Sequence, residues 1–289
     1  MAAGLGGPLH DAMLATAAAS GLDLATAIEG ADSTLRATDV AQPALLLVEV
    51  ALAQALPEDL DIVGVAGHSV GEYSAATIAG ALDPETAMRL VVERGRAMAA
   101  MHDGVMSALL GLDADSVARI CATVATSARG EVVVANINAP AQIVISGTAD
   151  AVSAAEDMAR AQGARRVVRL NVSGAFHSPL MRDAAERFAP LLDAAPMTDA
   201  AAAVVCNVDA SAVTEAEQLR ARLRAQLTSP VRWTECIAQL IALGADVLVE
   251  VGPQSVLTGL ARRIAPHVKA VSVSTPAQAH TLRAAVGAA

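Results

Sequence analysis

The chain has 289 residues, a net charge of −10 and an apolar fraction of 54%, and these values exclude several classes of protein. No stretch of about 18 apolar residues is free of charged side chains, so we expect no membrane span. The acidic balance and an aromatic content of 1% argue against a nucleic-acid partner. The cysteines are widely spaced and no secretory signal pattern is present, which favours buried thiols in a cytoplasmic protein.

The predicted elements in the first third of the chain are a helix, a strand, a turn and two further helices. Apolar residues at helical spacing follow the capping-type residue Asp39, and β-type residues precede the glycine-rich segment from Gly67 to Gly71. Asp83 and Pro84 begin the last helix, since aspartate before proline is a helix-start signal. The helices are predicted at residues 40–55, 72–82 and 83–100, and the strand at 62–66.

The pattern changes between residues 104 and 172, where short β-type runs alternate with two helical stretches. Their order is β-α-β-β-α-β, which is the ferredoxin-like arrangement. The strands are predicted at residues 105–110, 132–137, 143–146 and 166–172, and the helices at residues 115–124 and 149–162.

Helices and strands alternate again after this segment, so the α/β core resumes. The later helices are predicted at residues 178–193, 215–227 and 234–243, and the strands at residues 204–207 and 247–251. The sequence therefore predicts an α/β protein. The predicted core comprises residues 1–103 and 174–289, and a ferredoxin-like subdomain of residues 104–173 is inserted into it.

Ser69 is the candidate nucleophile. It is the central residue of a G-x-S-x-G pattern between a predicted strand and a predicted helix. Glycines on both sides permit the sharp turn that exposes a serine hydroxyl. The amide of Val70, at the start of the helix, is suited to donate to the oxyanion of a tetrahedral intermediate. The alternative is a buried serine in an ordinary glycine turn.

A serine nucleophile needs a base, and the chain contains six histidines. His177 lies where a predicted strand meets the next helix, and a loop at such a junction can present an imidazole to the Ser69 turn. His68 adjoins Ser69 and is expected to point away from it. The alternative is that His177 caps a helix or lies on the surface, because the sequence alone does not show that it meets Ser69.

Two motifs carry a resemblance to a known family. Residues 67–72, Gly-His-Ser-Val-Gly-Glu, and residues 174–178, Gly-Ala-Phe-His-Ser, resemble segments of the malonyl-CoA:acyl-carrier-protein transacylases and of the related acyltransferase domains of polyketide and fatty acid synthases. Residues 93–95, 136–147 and 226–233 agree with that family in order and spacing, and so does the Glu-Val-Gly-Pro segment near the C-terminus. The resemblance covers essentially the whole chain. It implies a hydrolase-like α/β core with a ferredoxin-like insertion, and malonyl transfer through an acyl-serine.

The resemblance also implies roles for single residues. His177 matches the general base, and Gln226 matches the residue whose main-chain carbonyl accepts from the imidazole and fixes its tautomer. Arg94 matches the arginine that holds the free malonyl carboxylate, and a planar guanidinium suits that partner. From its position alone, Arg94 would be a solvated helix arginine.

Three further residues belong to the predicted substrate-binding set. Phe176 resembles the residue found in malonyl-selective members of the family, and His68 and Asn138 lie in matching segments. No metal or redox cofactor is expected, because thioester exchange through a serine requires neither.

The N-terminal sequence departs from the family pattern. Family members begin with a strand that ends in Gly-Gln-Gly-Ser-Gln, whose glutamine supplies a second oxyanion amide, and Met1 falls just after the place where this segment should end. The resemblance therefore predicts that the first strand of the core is missing, together with half of the oxyanion hole. We expect a start codon assigned too late rather than a true loss.

The expected partners are malonyl-CoA and an acyl carrier protein, and the expected state is a monomer. Carrier proteins are acidic, so docking on a chain of net charge −10 is expected to use local arginines. The candidates are Arg160, Arg165, Arg166 and Arg169, or Arg262 and Arg263. Two other functions remain open: a serine esterase or thioesterase, and a catalytically impaired module that binds carrier proteins.

Overall fold

The computed structural model describes residues 5–30, 34–127 and 130–282 and shows a mixed α/β protein, which confirms the predicted class. Helices dominate the first part of the chain, and one short strand precedes the Ser69 turn. These elements are α1 (Pro8–Ala19), α2 (Leu24–Glu29), α3 (Thr38–Ala53), β1 (Gly64–Ala66), α4 (Gly71–Ile78) and α5 (Pro84–Ala99).

The middle of the chain forms an antiparallel four-stranded sheet with two helices, in the strand order β3-β4-β2-β5. Apolar side chains of the sheet and helices, including Leu109, Ile120 and Ile145, form a buried cluster of their own. The elements are β2 (Val105–Leu110), α6 (Ala114–Ala125), β3 (Val132–Ala139), β4 (Gln142–Gly147), α7 (Ala149–Ala161) and β5 (Arg166–Arg169).

The last part of the chain completes the sheet that contains β1. The strand β6 pairs in parallel with β1, with Val205 opposite Ala66, so the segments after these two strands meet at one sheet edge. The strand β7 extends this sheet, and β8 and β9 form a separate parallel pair. The elements are α8 (Arg182–Ala194), β6 (Ala203–Val205), β7 (Ala212–Val213), α9 (Ala216–Gln226), α10 (Trp233–Ala242), β8 (Val247–Val251), α11 (Val256–Ile264), β9 (Lys269–Val273) and α12 (Pro276–His280).

The largest apolar cluster surrounds α4, the helix that follows the Ser69 turn, and α5. Leu46, Tyr73, Met88 and Phe188 are among its buried members. All three cysteines are free and buried, as predicted. Within the parts of the chain that the structure describes, no helix is both long and apolar enough to cross a membrane.

Several element boundaries differ from the predictions. The strand predicted at residues 62–66 is only three residues long, and Ile62 is 45% exposed outside it. Asp39 lies in the first turn of α3 rather than at its cap, which is Ala37; there its charge still favours the helix N-terminus. Asp83 caps α5 through its side chain, as predicted. The sequence reading did not identify α1, α2, α11, α12, β7 or β9.

Candidate active site

Ser69 sits in a sharp turn between β1 and α4. Its φ angle of 53° is left-handed, which costs a non-glycine residue about 1–2 kcal/mol and marks a position held by its surroundings. A Cβ at Gly67 would lie 1.9 Å from the backbone carbonyl of Gly71, so only glycine fits there. Space around Gly71 itself is open, so the turn requires only the first of the two glycines.

His177 faces the Ser69 hydroxyl from the loop before α8. The Ser69 Oγ lies 2.8 Å from His177 Nε2, and His177 also has a left-handed φ, of 56°. The loop is braced by Ser178, whose hydroxyl donates to the Ala175 carbonyl at 2.6 Å. The structure thus places the predicted nucleophile and base together, although they are 108 residues apart. This geometry excludes the surface-histidine alternative, because His177 is only 4% exposed.

Two main-chain carbonyls fix the tautomer of His177. Its Nδ1 lies 3.1 Å from the Gln226 carbonyl and 3.2 Å from the Ser229 carbonyl, and since carbonyls only accept, Nδ1 carries the proton. The lone pair of Nε2 therefore points at Ser69. Burial, followed by the charge of Arg94, lowers the pKa of His177 to about 3, so the imidazole is neutral near pH 7.

Arg94 is fully buried beside Ser69 and is not the solvated arginine that its position in α5 suggests. One terminal nitrogen donates to Ser69 Oγ at 3.1 Å and to the side-chain oxygen of Gln226 at 2.8 Å. The other terminal nitrogen donates to Gln42 of α3. The guanidinium also lies over the ring of Tyr73, 5.6 Å from its centroid. Each of these hydrogen-bond acceptors is neutral, so the charge remains available to an anionic ligand.

Glu72 joins the elements behind the site. Its Oε2 accepts from the side-chain amide of Gln226 at 2.6 Å and from the backbone N–H of Asn207 at 3.2 Å. The same Gln226 amide donates to the Ser69 carbonyl at 3.0 Å. Burial raises the pKa of Glu72 to about 7, although these hydrogen bonds and Arg94 oppose the shift. One carboxyl thus supports both the Ser69 turn and the segment that holds His177.

The Val70 amide is available to an oxyanion. Among the residues that the structure describes, no group accepts a hydrogen bond from the Val70 N–H. The neighbouring Ser69 N–H is already engaged, because it donates to Asn207 Oδ1 at 2.7 Å. The positive end of α4 starts at this point, which adds to the attraction for negative charge.

The other predicted substrate-binding residues lie beside the turn. His68 Nε2 is 2.8 Å from Asn138 Oδ1, which links the turn to β3 of the four-stranded sheet. The His68 ring contacts Trp233, with ring centroids 5.5 Å apart, and burial lowers the pKa of this histidine. Phe176 packs against the large core cluster and against a small cluster of Met106, Ala135 and Val144 on the four-stranded sheet. His68 therefore faces Asn138 and Trp233 of its own chain rather than the Ser69 hydroxyl.

Comparison with known proteins shows which family the chain belongs to. A family model described as the acyl transferase domain matches residues 10–278. A malonyl CoA-acyl carrier protein transacylase of Bacillus subtilis is 42% identical over 252 residues, a match that covers 86% of this chain and 79% of that protein. This chain is a member of the malonyl-CoA:acyl-carrier-protein transacylase family.

Solved structures of other transacylases share the fold. An acyl-carrier-protein S-malonyltransferase from Bartonella henselae is 37% identical, with a TM-score of 0.90 and coverage of 97% of this chain and 91% of that chain. A malonyl-transacylase in complex with its type II PKS acyl-carrier protein is also 37% identical, with a TM-score of 0.88 and coverage of 95% and 91%. The resemblance stated from the motifs is thereby confirmed.

The sequence reading of this transacylase family member missed three buried polar residues: Gln42, Glu72 and Asn207. A glutamine within the apolar run of α3 is a weak signal for Gln42, and Glu72 lies in the Gly-His-Ser-Val-Gly-Glu motif, where its spacing indicates no role. No sequence signal pointed to Asn207. In the described parts of the chain no cluster of three or more His, Cys, Asp or Glu residues could hold a metal ion.

Proposed function

We propose that this chain transfers a malonyl group from malonyl-CoA to Ser69 and then to the phosphopantetheine thiol of an acyl carrier protein. The observation that carries the proposal is the position of Arg94, whose buried guanidinium reaches the same hydroxyl that His177 contacts. A carboxylate on the acyl group would thus meet a cation while its thioester carbon meets the nucleophile. The named relatives are malonyl transacylases, which supports the same assignment.

In the first half-reaction, Ser69 Oγ attacks the thioester carbonyl carbon and its proton passes to His177 Nε2. The carbonyl oxygen becomes an oxyanion, and the Val70 N–H is placed to donate to it. The carbon–sulfur bond then breaks, and the departing coenzyme A thiolate takes the proton from His177. Ser69 is left as a malonyl ester, and no metal or cofactor is needed.

In the second half-reaction the same steps run with the carrier thiol as nucleophile. His177 accepts the thiol proton, the sulfur attacks the ester carbon, and the carbon–oxygen bond to Ser69 breaks as the proton returns to its oxygen. The imidazole is held by carbonyls of Gln226 and Ser229 rather than by a carboxylate. A base of this kind activates water less readily than a Ser-His-Asp triad, which favours transfer over hydrolysis.

Arg94 would select malonyl over uncharged acyl groups, because a charge-assisted pair contributes roughly 1.5–3 kcal/mol. The bound carboxylate would also offset the positive charge that lowers the His177 pKa, so the base would become stronger once the substrate is in place. That Phe176 favours malonyl over bulkier groups stays a prediction, as do substrate contacts by His68 and Asn138.

The carrier surface is also a proposal. Of the predicted docking arginines, Arg160 and Arg169 form ion pairs with Glu156, and Arg263 bonds to Gln142. Arg262 donates to the Ala270 carbonyl. Because those four arginines already bond to groups of this chain, Arg165 and Arg166 are the favoured contacts for an acidic carrier. The monomeric state, the cytoplasmic location and the choice between fatty acid and polyketide synthesis stay predictions.

We also propose the finer fold: a hydrolase-like core of residues 1–103 and 174–289 with a ferredoxin-like subdomain of residues 104–173. The β-α-β-β-α-β element order and the β3-β4-β2-β5 sheet order support the subdomain. Among the described strands, β1 and β8 each have a free edge, and all their residues are partly exposed although helices pack against both. One further strand between them would unite the two sheets, so a chain extended by that strand is expected to gain thermal stability and rate.

The test of the proposed function is intact-protein mass after incubation with malonyl-CoA, followed by addition of a carrier protein bearing phosphopantetheine. We expect a malonyl increment on this chain, none on Ser69→Ala, and transfer of the increment to the carrier. Ser107→Ala, a buried serine of β2, is the matched control. Release of free malonate without transfer would favour the esterase alternative. No increment on any variant would favour the impaired carrier-binding module.

A further inference from the structure

Asn207 is buried beside the nucleophile, yet it belongs to none of the groups that the proposed reaction uses. It follows β6, and because β6 lies parallel to β1 in register, Asn207 reaches the edge where the Ser69 turn leaves the sheet. Asn207 is fully buried. The position therefore puts an amide side chain directly against the backbone of the turn.

Both ends of the Asn207 amide bond to that backbone. Its Oδ1 accepts from the Ser69 N–H at 2.7 Å, and its Nδ2 donates to the Gly67 carbonyl at 2.8 Å. The two bonds span His68 and close a ring around the turn. Aspartate lacks the donor when ionised, and an aliphatic residue lacks both groups, so asparagine fits this pair of bonds.

Asn207 is itself held from two sides. Its backbone N–H donates to Glu72 Oε2 at 3.2 Å, and its carbonyl accepts from the Arg232 N–H at 2.9 Å. The same Glu72 oxygen accepts from Gln226, whose main-chain carbonyl contacts His177. The turn that carries the nucleophile and the segment that orients the base thus share one buried set of hydrogen bonds.

We propose that Asn207 is a positioning residue for acyl transfer, which clamps the Gly67 carbonyl and the Ser69 N–H so that the left-handed turn aims Ser69 Oγ at His177. The clamp also occupies the Ser69 N–H, which leaves the Val70 N–H to face the oxyanion. This inference rests on the proposed function for its reaction, but the geometry of the clamp concerns the nucleophile whatever its acyl donor.

The test is the Asn207→Asp variant, which has nearly the same shape. At pH 8 its carboxylate can accept from Ser69 but cannot donate to Gly67, and we expect malonylation of Ser69 to be about 100-fold slower than wild type with KM for malonyl-CoA within threefold. A buried carboxyl beside Glu72 takes up a proton as pH falls, which restores a donor. At pH 5.5 the rate is expected to recover to within about tenfold of wild type measured at the same pH.

A second readout separates this proposal from the proposed function. Labelling of Ser69 by a fluorophosphonate needs the aimed hydroxyl and His177 but no malonyl group, so it is expected to show the same loss at pH 8 and recovery at pH 5.5. If wild type labels but acquires no malonyl, the proposed function fails while the labelling ratio still tests the clamp. Malonylation and labelling of Asn207→Asp at wild-type rates at pH 8 would overturn the clamp.

Two further variants keep the test decisive. Asn136→Asp places a carboxyl at another buried asparagine, in β3, and is expected to stay within about threefold of wild type per folded molecule at pH 8. If Asn207→Asp does not fold at pH 8, Asn207→Ser replaces it, because a hydroxyl keeps only one of the two bonds. A roughly tenfold loss of labelling with unchanged KM supports the clamp, and a loss only of thermal stability contradicts it.

Discussion

The four-stranded sheet and the Ser69 site are stabilised in different ways. In the sheet, β2 pairs with β4 in an unbroken antiparallel register, and apolar side chains of the strands pack on α6 and α7. In the site, polar side chains from separate segments meet through hydrogen bonds that span 108 residues between Ser69 and His177, and 154 between Glu72 and Gln226. Apolar packing thus dominates the first region, whereas hydrogen bonds between buried polar side chains dominate the second.

The largest expected effect is that of His177→Ala, which should abolish most of the acylation rate in the site and leave the stability of the fold unchanged. Loss of the general base is expected to slow malonylation of Ser69 by about 10²–10⁴-fold. Stopped-flow or mass-based acylation rates measure the effect, and thermal unfolding checks the fold. His102→Ala, at an exposed histidine, serves as the control. A variant that loses its fold together with its rate would place His177 among the structural residues.

The opposite result is expected for Leu109→Ala in β2. Leu109 is fully buried in the cluster of the four-stranded sheet, and its truncation should lower the free energy of unfolding by about 2–5 kcal/mol. The acylation rate per folded molecule should be unchanged. Urea denaturation gives the stability, with Leu191→Ala as a control because that leucine is 47% exposed. A large fall in the acylation rate of folded Leu109→Ala would show that the two regions are energetically coupled.

Arg94→Met tests whether charge or packing selects the acyl group in the site, since it removes a charge and keeps much of the side-chain volume. The ratio of malonyl to acetyl transfer is expected to fall by about 10–100-fold, the equivalent of roughly 1.5–3 kcal/mol. Competition between the two thioesters measures this ratio. Arg96→Met, on the exposed face of the same helix, should leave it unchanged. An unaltered ratio in Arg94→Met would remove the carboxylate-binding role.

Arg94→Met is also expected to change the pH dependence of Ser69 labelling. In the free enzyme, the pKa of His177 is about 3, so fluorophosphonate labelling of wild-type Ser69 should stay constant as pH falls to about 5. Without the Arg94 charge the His177 pKa rises, protonation removes the base at higher pH, and labelling should decline earlier on the acid side. Coincident pH profiles for the two proteins would show that Arg94 does not act on the imidazole.

The smallest effect is expected from Glu49→Gln, which probes the cost of a partly buried carboxyl in α3. Glu49 accepts from Ser74 Oγ at 2.5 Å, and burial raises its pKa to about 7. A raised pKa means that the folded state binds the proton more tightly, so stability falls as pH rises from about 4.5 through 7. Glu49→Gln should therefore be more stable than wild type at pH 8 by about 1–2 kcal/mol and equal to it at pH 4.5.

Thermal or urea unfolding at the two pH values measures this difference. Glu217→Gln, at a carboxyl that is 83% exposed, should show no such pH-dependent gain. Equal gains at pH 4.5 and pH 8 in Glu49→Gln would mean that the amide improves packing rather than removing a buried charge.

Much of the secondary structure was predictable because its signals are local. The strand at residues 105–110 and the strand at 247–251 were predicted at the bounds that the structure has, since each is a short apolar run between clear breaks. The strand predicted at residues 62–66 is too long at its start, because the sequence does not show whether a partner strand covers an apolar residue such as Ile62. Burial depends on neighbours that the sequence does not place.

The site residues likewise divide into those that local sequence signals indicate and those that depend on distant neighbours. Ser69 and His177 were predicted because their motifs are compact and have a known chemistry, and Gln226 was predicted through a resemblance. Gln42 and Asn207 were missed because their partners, Arg94 and the Ser69 turn, are 52 and 138 residues away. Hydrogen-bond partners at such separations leave no periodic pattern in a single sequence.

The sequence by itself determined the α/β class and the family, and it named Ser69 and His177 as the candidate nucleophile and base, because these inferences depend on local spacing and on short motifs. Only the tertiary structure decided that Arg94 is buried beside Ser69, that Glu72 joins the two halves of the site, and that Asn207 bonds to the backbone of the turn. The physical reason is that a buried polar group must be satisfied by whichever partner the fold brings within hydrogen-bond distance.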